Sequence, residues 1–581
     1  MARDLVFGNG TFYLAMDRRG LIRELCWPVV GAPNHLAGRK IRLGIRRDNG
    51  WFSWLGDDDW SVRQWYEGEV GVTEWVGFGI RVLRMVQMSG SAFYQKFYCD
   101  LEEEFMFYQA HDLRIGETDI GDTCFYVDGD DQIMVHFKND VAVAFFGRGL
   151  TGRLDQVACG MNGVMGLEGT WRDAEDGVLS GKPIEQGSVD SVFGIRVRGE
   201  WTAHFAVDRT VEGSAEYSCV FGGLPQKLRV AEVRVRQILA SPLNLDEYLN
   251  DLRSGQLVEI SERLILANSG EGGRVVAAID SDIMENNRSN YAYIWMRDAV
   301  LTATALGEKV DLAGFVPECD HDSFIWQKYH PLGHRGSTWH PWVGENSFPY
   351  QMDETALLLS YCFRTGHSVE LAERWLNLIQ EAIGEDGLPR PSWDLWEERF
   401  GIHFWTCATV AQAYFDAGRE QSGRDLVEAV TEHFHPVEGR IPRRLGDGVA
   451  DASVLAGCLW CQELRAKFLD QAVEMVERYL LMDTNCRGVA RYEGDYYCRV
   501  REGYPGNPWV ICTMWLARGY WLQGRKDEAD DLLVWCEDLA SLSGMLSEQY
   551  HPDTREPLSV CPLTWSHAEY LETYRLIRGS S

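Results

Sequence analysis

Through much of the first 240 positions apolar and polar residues alternate one by one, as in Val192-Phe193-Gly194-Ile195-Arg196-Val197-Arg198 and Gln132-Ile133-Met134-Val135-His136-Phe137-Lys138, between turns rich in Gly and Asp. A period of two puts successive side chains on opposite faces of a strand. Many such short runs without helices between them predict antiparallel sheets, most simply a large β-sandwich over residues 1–240. The pattern breaks at Ser241-Pro242-Leu243-Asn244-Leu245-Asp246-Glu247. Beyond it the apolar positions recur at helical spacing, as at Leu371, Trp375, Leu378 and Ala382, and at Leu469, Ala472, Val476 and Leu480. Residues 241–262 therefore read as a linker. Residues 263–581 read as an all-α domain of about ten to twelve helices, a bundle or toroid of paired helices with its functional loops gathered at one end.

Composition narrows the function. The chain has 581 residues, too many for one ordinary domain, and 87 Asp+Glu against 56 Lys+Arg leave a net charge of -31. Such an excess of acid speaks against a nucleic acid or an anionic membrane as partner, since nothing neutralises a row of phosphates. The 22 Trp and 23 Tyr residues suit a core, and some suit stacking on sugar faces. The 15 cysteines form no short-spaced framework and sit in apolar runs such as Gly457-Cys458-Leu459-Trp460-Cys461. No apolar run approaches the ~20 residues of a membrane span, and the first ten residues carry no apolar signal region. The expectation is a reduced, cytoplasmic protein.

Several local patterns carry less than they promise. Gly147-Arg148-Gly149-Leu150-Thr151-Gly152 matches the dinucleotide fingerprint by letter, but a Gly-rich stretch follows where a helix is needed, so it reads as a hairpin turn. His330, His334 and His340 are interrupted by Pro331 and Gly333 and read as a loop, not as metal ligands. Asp57-Asp58-Asp59 and Asp128-Gly129-Asp130-Asp131 lack a complete calcium loop and read as solvated turns. No cofactor and no metal is expected.

Four loop-edge segments of the helical half combine acids, arginines and aromatics beyond what packing requires. They are Tyr291-Ala292-Tyr293-Ile294-Trp295-Met296-Arg297-Asp298; Ser392-Trp393-Asp394-Leu395-Trp396-Glu397-Glu398-Arg399; Arg491-Tyr492 with Gly506-Asn507-Pro508-Trp509; and Leu546-Ser547-Glu548-Gln549-Tyr550 followed by Leu563-Thr564-Trp565-Ser566-His567-Ala568. Trp393 and Trp396, with Phe400, Phe404 and Trp405 downstream, are expected to wall a carboxyl group apolarly, as a general acid at neutral pH needs. A second, ionised acid on another loop completes a pair for glycosidic cleavage.

These blocks, in this order, resemble the signature regions of glycoside hydrolase family 15, which includes glucoamylases, glucodextranases and certain microbial trehalases. The amino-terminal half is similar to the sandwich domain of its prokaryotic members. The resemblance implies an (α/α)6 toroid after the sandwich, with Glu397 as general acid and Glu548 as general base. It also implies that Arg297, Asp298 and Arg491 clamp the terminal glucose and that Tyr291 and Trp295 shape its pocket. Glu398 lies on the leaving-group side, and Trp396, Trp509 and Trp565 belong to the same sugar-binding blocks. His567 stands where many glucoamylases carry Tyr. The segment that places a tryptophan over the acid in fungal members is filled here by Gly336-Ser337-Thr338-Trp339-His340-Pro341-Trp342 and Gln351-Met352-Asp353-Glu354-Thr355-Ala356. The expected activity is an inverting, exo-acting α-glucosidase that releases β-glucose from short α-1,4 or α-1,6 glucosides, its partner being a small oligosaccharide. A trehalase of the same family is the alternative. An inverting disaccharide phosphorylase and a non-catalytic sugar-binding protein are the alternatives of other classes. Linkage and oligomeric state stay open.

Overall fold

The computed structural model describes residues 2–128, 132–161, 170–179, 182–209, 225–240, 245–283, 290–320 and 322–579. The Asp128-to-Asp131 turn lies mostly outside them, as does the start of the expected linker. The chain divides into two compact units, Met1–Gln256 with Asp280–Arg288 and Ser541–Met545, and Leu257–Ile279 with Ser289–Ala540 and Leu546–Ser581.

The first unit is built on two nine-stranded antiparallel sheets. One has the strand order Arg3–Gly8, Tyr13–Asp17, Ile22–Val29, Ile41–Arg47, Phe105–Asp112, Val189–Val197, Gln156–Met161, with two short strands beside this path. The other runs Ile184–Gly187, Asp122–Val127, Ile133–Lys138, Val141–Arg148, Glu200–Arg209, Ala92–Cys99, Ile80–Ser89, Val70–Gly77, Ser61–Glu67. Rings from the two sheets meet in the core: Phe97 with Phe107 at 5.0 Å, Phe7 with Phe93 at 5.7 Å, and His111 stacked on Phe145 at 3.7 Å. The turn after Val141–Arg148 is not the expected hairpin. The next strand, Gln156–Met161, pairs with Val189–Val197 in the other sheet, so the glycines serve a crossing between sheets. Three helices are described here: α1 (Thr170–Asp176), α2 (Gln226–Ala240) and α3 (Leu245–Ala267). The last covers much of the expected linker, and its final residues count with the second unit.

The second unit carries α4 (Met296–Leu306), α5 (Met352–Thr365), α6 (Val369–Glu381), α7 (Phe404–Asp416), α8 (Glu420–His433), α9 (Ala452–Trp460), α10 (Gln462–Tyr479), α11 (Val510–Leu522), α12 (Lys526–Leu539) and α13 (Thr564–Arg578). From α5 onward two kinds alternate. In α5, α7, α9 and α11 nearly every side chain is buried, whereas α6 buries only Ala372, Trp375, Leu376 and Ile379, and α8, α10 and α12 likewise bury one stripe. A helix apolar on all sides belongs inside, and one with a single apolar stripe belongs at a surface. The contacts agree: α4 packs on α5, α5 on α7, α7 on α9, α9 on α11, α11 on α13, and α13 back on α4. The striped helices each pack on the buried helix before them. The turn after α5 is made by Gly366, whose φ of +76° and N–H to Cys362 O at 2.9 Å close the helix in a left-handed cap. Among the described residues no helix is long and apolar enough to cross a membrane.

Candidate active site

The residues singled out in the sequence gather where the six mutually packed helices begin. Trp295, His403, Asp451, Trp509 and Leu563 are the N-cap residues of α4, α7, α9, α11 and α13, and Asp353 and Glu354 fill the first turn of α5. Backbone bridges stitch the segments leading into these helices: Asp451 pairs with Tyr492, and Trp509 with both Val489 and Gln549. One end of the helical unit thus collects side chains from segments far apart in sequence.

Arg297 organises one side. It is buried in the first turn of α4, its backbone N–H donates to Glu354 Oε2 at 2.6 Å, and its Nη1 pairs with Glu354 Oε1 at 3.2 Å. Its Nη2 donates to Glu397 Oε1 at 3.2 Å, and Asp298 lies 3.5 Å from its Nε. Burial works against this charge, but Glu354, Asp298, Glu397 and Asp353 together raise the Arg297 pKa above its ordinary value. Burial pushes Asp298 up to about 6 and raises Asp353 and Glu354 as well. The guanidinium also lies 5.6 Å from the Trp565 ring.

Glu397 sits in a tight loop whose geometry follows from its neighbours. Ser392–Trp393 pairs antiparallel with Phe400–Gly401, and Asp394 closes the loop between them. The Asp394 N–H donates to Arg399 O, its carbonyl accepts from Glu397 N, and its carboxyl accepts from Glu398 N at 2.7 Å and Arg399 N at 3.0 Å. Within this loop Glu397 has φ +65°, a left-handed conformation that costs a non-glycine residue about 1–3 kcal/mol and is held only where surroundings over-determine it. Asp394 is itself buried, which pushes its carboxyl up to about 7. Gln327 Nε2 completes the fixation, donating to Glu397 Oε2 at 2.6 Å.

The rings expected to wall this acid have partners of their own. Trp396 turns its indole N–H to Asp451 at 3.0 Å, Trp393 stacks on His340 at 4.5 Å, Phe404 packs on Phe434 and Phe468, and Trp405 donates to Asp353 at 2.7 Å. The Glu397 carboxylate itself accepts from Arg297 and Gln327. His330 and His334 stack on each other at 4.5 Å, apart from the His340 contact.

Glu398 belongs to a second cation. Arg491, buried, forms two bonds to Asp495 at 2.8 and 2.6 Å and one to Glu398 Oε1 at 3.0 Å, and it lies 4.6 Å from the Trp509 ring and 5.1 Å from the Trp396 ring. Glu398 Oε2 accepts from Arg399 and from the Tyr492 hydroxyl, both at 2.6 Å.

Glu548 is buried on the opposite loop, and that burial pushes its carboxyl up to about 7. The Tyr291 hydroxyl donates to its Oε1 at 3.2 Å and lies 2.7 Å from the Tyr497 hydroxyl. The Tyr291 ring lies 5.8 Å from that of Trp295, which stands two residues before the Arg297 that binds Glu397, so the two carboxyls share one cluster. His567 does not reach this cluster. It is buried and neutral, with burial pushing its pKa down to about 3, and its ring accepts Leu546 N–H at Nε2 (3.0 Å) and faces Ser261 Oγ at Nδ1 (2.9 Å). It braces the segment that carries Glu548.

All eleven residues expected at the site are therefore in or against one cluster. Sequence reasoning missed Gln327, Lys328, Asp353, Glu354, Asp394, Asp495 and Tyr497. Asp353 and Glu354 had the faint signal of lying in the stretch where the resemblance is weakest, and Asp394 lay within a singled-out block without a role; the others show no local pattern.

Buried nitrogens of Trp295, Trp393, Trp509 and Lys328 have no acceptor among the described residues. Such unpaired donors, set beside carboxylates, suit a ligand that offers many oxygen acceptors.

Comparison with known proteins agrees with this chemistry. Residues 466–575 match the sequence profile of the glycosyl hydrolases family 15. An uncharacterized glycosyl hydrolase of Methanocaldococcus jannaschii is 22% identical over 641 aligned positions, covering 97% of this chain and 97% of that protein. A probable glucoamylase of Schizosaccharomyces pombe is 22% identical over 405 positions, covering 54% of this chain and 90% of that protein. A bacterial glucoamylase whose crystal structure contains acarbose shares the fold over 100% of this chain and 94% of its own, with a TM-score of 0.76 at 16% identity. The chain is a glycoside hydrolase, similar over residues 466–575 to family 15 and sharing the fold of a glucoamylase.

Proposed function

We propose that the protein is an inverting, exo-acting α-glucosidase for short α-1,4 or α-1,6 glucosides. The observation that carries this reading is the joining of Glu397 and Glu548, from distant loops, into one cluster with the buried Arg297 and Arg491. The helices are read as an (α/α)6 toroid, which the closed order of contacts from α4 round to α13 supports. Arg297 and Asp298, with Arg491, hold the hydroxyls of the terminal glucose through charge-assisted bonds. Trp295, Trp396, Trp509 and Trp565 supply flat apolar faces beside them. Glu397 gives a proton to the glycosidic oxygen, and Glu548 takes one from a water that attacks C1 from the other face, so the product is β-glucose. The acarbose bound to the bacterial glucoamylase supports an oligosaccharide as ligand here.

One observation favours an exchange of the two roles. Burial pushes Glu548 up to about 7, as a proton donor needs, while Glu397 accepts from a cation. Leaving groups separate the cases. Fluoride departs without a proton, so an acid is dispensable for α-glucosyl fluoride and a base is not. With Glu397 as acid, Glu397→Gln loses at least ~10²-fold on maltose but far less on the fluoride, whereas Glu548→Gln loses on both. The reverse pattern exchanges the assignments.

The reaction itself is tested with maltose, isomaltose and trehalose, with and without phosphate, following the first anomer by proton NMR. Phosphate-independent β-glucose is expected. Initial α-glucose overturns inversion, glucose 1-phosphate overturns hydrolysis, and cleavage of trehalose alone makes the enzyme a trehalase.

A further inference from the structure

Lys328 is fully buried, and its ammonium has no hydrogen-bond acceptor among the described residues. Three rings enclose it: Nζ lies 4.2 Å from the centroid of Trp339 and 4.9 Å from those of Tyr293 and Trp295. Its backbone is pinned, since Gly336 N–H donates to its carbonyl at 2.9 Å. The preceding residue is Gln327, which donates to Glu397 and accepts from Thr338 Oγ1 and Trp339 N. Aromatic faces keep an ammonium charged by about 0.5–2 kcal/mol each but replace none of its lost hydration. Burial accordingly lowers its pKa, and the charge that opposes this is that of Glu397. A cation placed at such cost beside an acid asks for a use, because an apolar side chain of the same length fills the aromatic box equally well.

The groups that face Glu397 are Arg297, Gln327, Lys328, His340, Asp298, Asp353 and Tyr291. The Arg297 charge is shared with Glu354 and Asp298, burial keeps His340 toward its neutral form, and Asp298 and Asp353 are acids. Lys328 makes no ion pair among the described residues, so its charge is the uncommitted one.

We propose that Lys328 is a positioning residue that acts through Glu397, a fixed charge that stabilises the carboxylate as it forms during proton donation. The proposal rests on Glu397 being the acid. In that step the Glu397 O–H bond breaks as its proton bonds to the glycosidic oxygen, and the electrons of the C1–O bond stay with the departing alcohol. Water oxygen bonds to C1 and yields a proton to Glu548. Glu397 becomes negative within the field of Lys328, which lies in a low-dielectric surrounding where charges act strongly.

The test compares an alkyl α-glucoside, whose leaving group needs the proton, with α-glucosyl fluoride, whose leaving group does not. Lys328→Met is expected to lower kcat on the alkyl glucoside by at least ~10-fold more than on the fluoride, with little change in KM. Lys328→Arg, which keeps the charge, should recover part of the loss. The alkaline limb of the alkyl-glucoside pH profile should move in Lys328→Met and stay in Lys328→Arg. Equal losses on both substrates in a folded Lys328→Met overturn the proposal and leave a packing role. Lys328→Gln gives the same comparison if the Met variant does not fold. If the wild-type protein turns over neither substrate, the glucosidase reading fails and takes the role of Lys328 with it. If Glu397→Gln keeps alkyl-glucoside activity, the acid assignment alone fails.

Discussion

His567 shows how a single position distinguishes chemistry from support. With Nε2 accepting from Leu546 N–H, Nδ1 carries the ring proton and donates to Ser261 Oγ, so both nitrogens are committed. His567→Leu leaves a buried N–H and a buried hydroxyl without partners, a loss of about 1–3 kcal/mol. The expected outcome is a lower urea midpoint together with a fall in kcat, since Leu546 lies two residues before Glu548; unchanged stability would show that the histidine bears no load. From sequence this position stood out only as a histidine where many glucoamylases carry Tyr. The difference lies in burial, which one chain does not reveal. The same holds for Glu354, Gln327 and Tyr497, whose partners Arg297, Glu397 and Tyr291 lie in other segments. The residues that were legible, Arg297, Glu397 and Glu548 among them, stood in runs where acids, arginines and rings are too dense for packing alone.

Helix beginnings are the elements on which the site depends, and α9 shows the coupling. Asp451 caps it by accepting Ser453 N–H at 2.8 Å, and the same carboxylate accepts the Trp396 indole N–H at 3.0 and 3.2 Å. A lost cap costs about 0.5–2 kcal/mol. Asp451→Ala should cost that and release Trp396, whereas Asp451→Asn retains an acceptor for Ser453 and should lose less. A double-mutant cycle of Asp451→Ala with Trp396→Phe should give a coupling of about 0.5 kcal/mol or more from denaturation midpoints, and strict additivity would show that cap and ring are independent. At this scale, period-two and helical spacing identified most elements, and the alternation of fully buried with striped helices is visible in hindsight as a change in apolar density. Pairing order was not legible. Phe105–Asp112 lies between Ile41–Arg47 and Val189–Val197, and Val141–Arg148 leads into a strand of the opposite sheet, because sheet membership depends on which core face a strand buries and not on its own alternation.

Buried carboxyls and buried histidines together set the pH response of the molecule. In the first unit burial pushes Asp4, Asp190 and Asp280 up to about 6; in the second it pushes Asp298 up to about 6 and Asp394 and Glu548 up to about 7. A carboxyl whose folded pKa exceeds its unfolded one binds more protons in the folded state over the interval between them. Its stabilising contribution is complete below the unfolded value, near 4, and is lost as pH rises through 6 to 7. Asp282 and Glu232 act in the opposite sense. Burial opposes their ionisation, but Arg3 and Arg23 for Asp282, and Lys96, Tyr98 and Arg236 for Glu232, bring both down to about 2, so their contribution is lost only as pH falls toward that value. Buried histidines offset the carboxyls in acid: burial pushes His35 and His204 down to about 4 and His136, His403 and His567 down to about 3, so each costs stability as pH falls below an unfolded value of about 6.5. Above that value the carboxyls alone still titrate, so thermal stability should decline between about pH 6.5 and 8. Self-repulsion of a chain with net charge -31 pushes the same way, but salt screens charges at the surface and reaches buried groups far less. The decline that persists in high salt is the part assigned to the interior. It should be shallower for the transition of the helical unit in Asp394→Asn and in Glu548→Gln, each of which removes one titrating group, than in the wild type. A midpoint that rises from about pH 6.5 to 8 in high salt, or a decline of the same slope in both variants, would place the protons elsewhere.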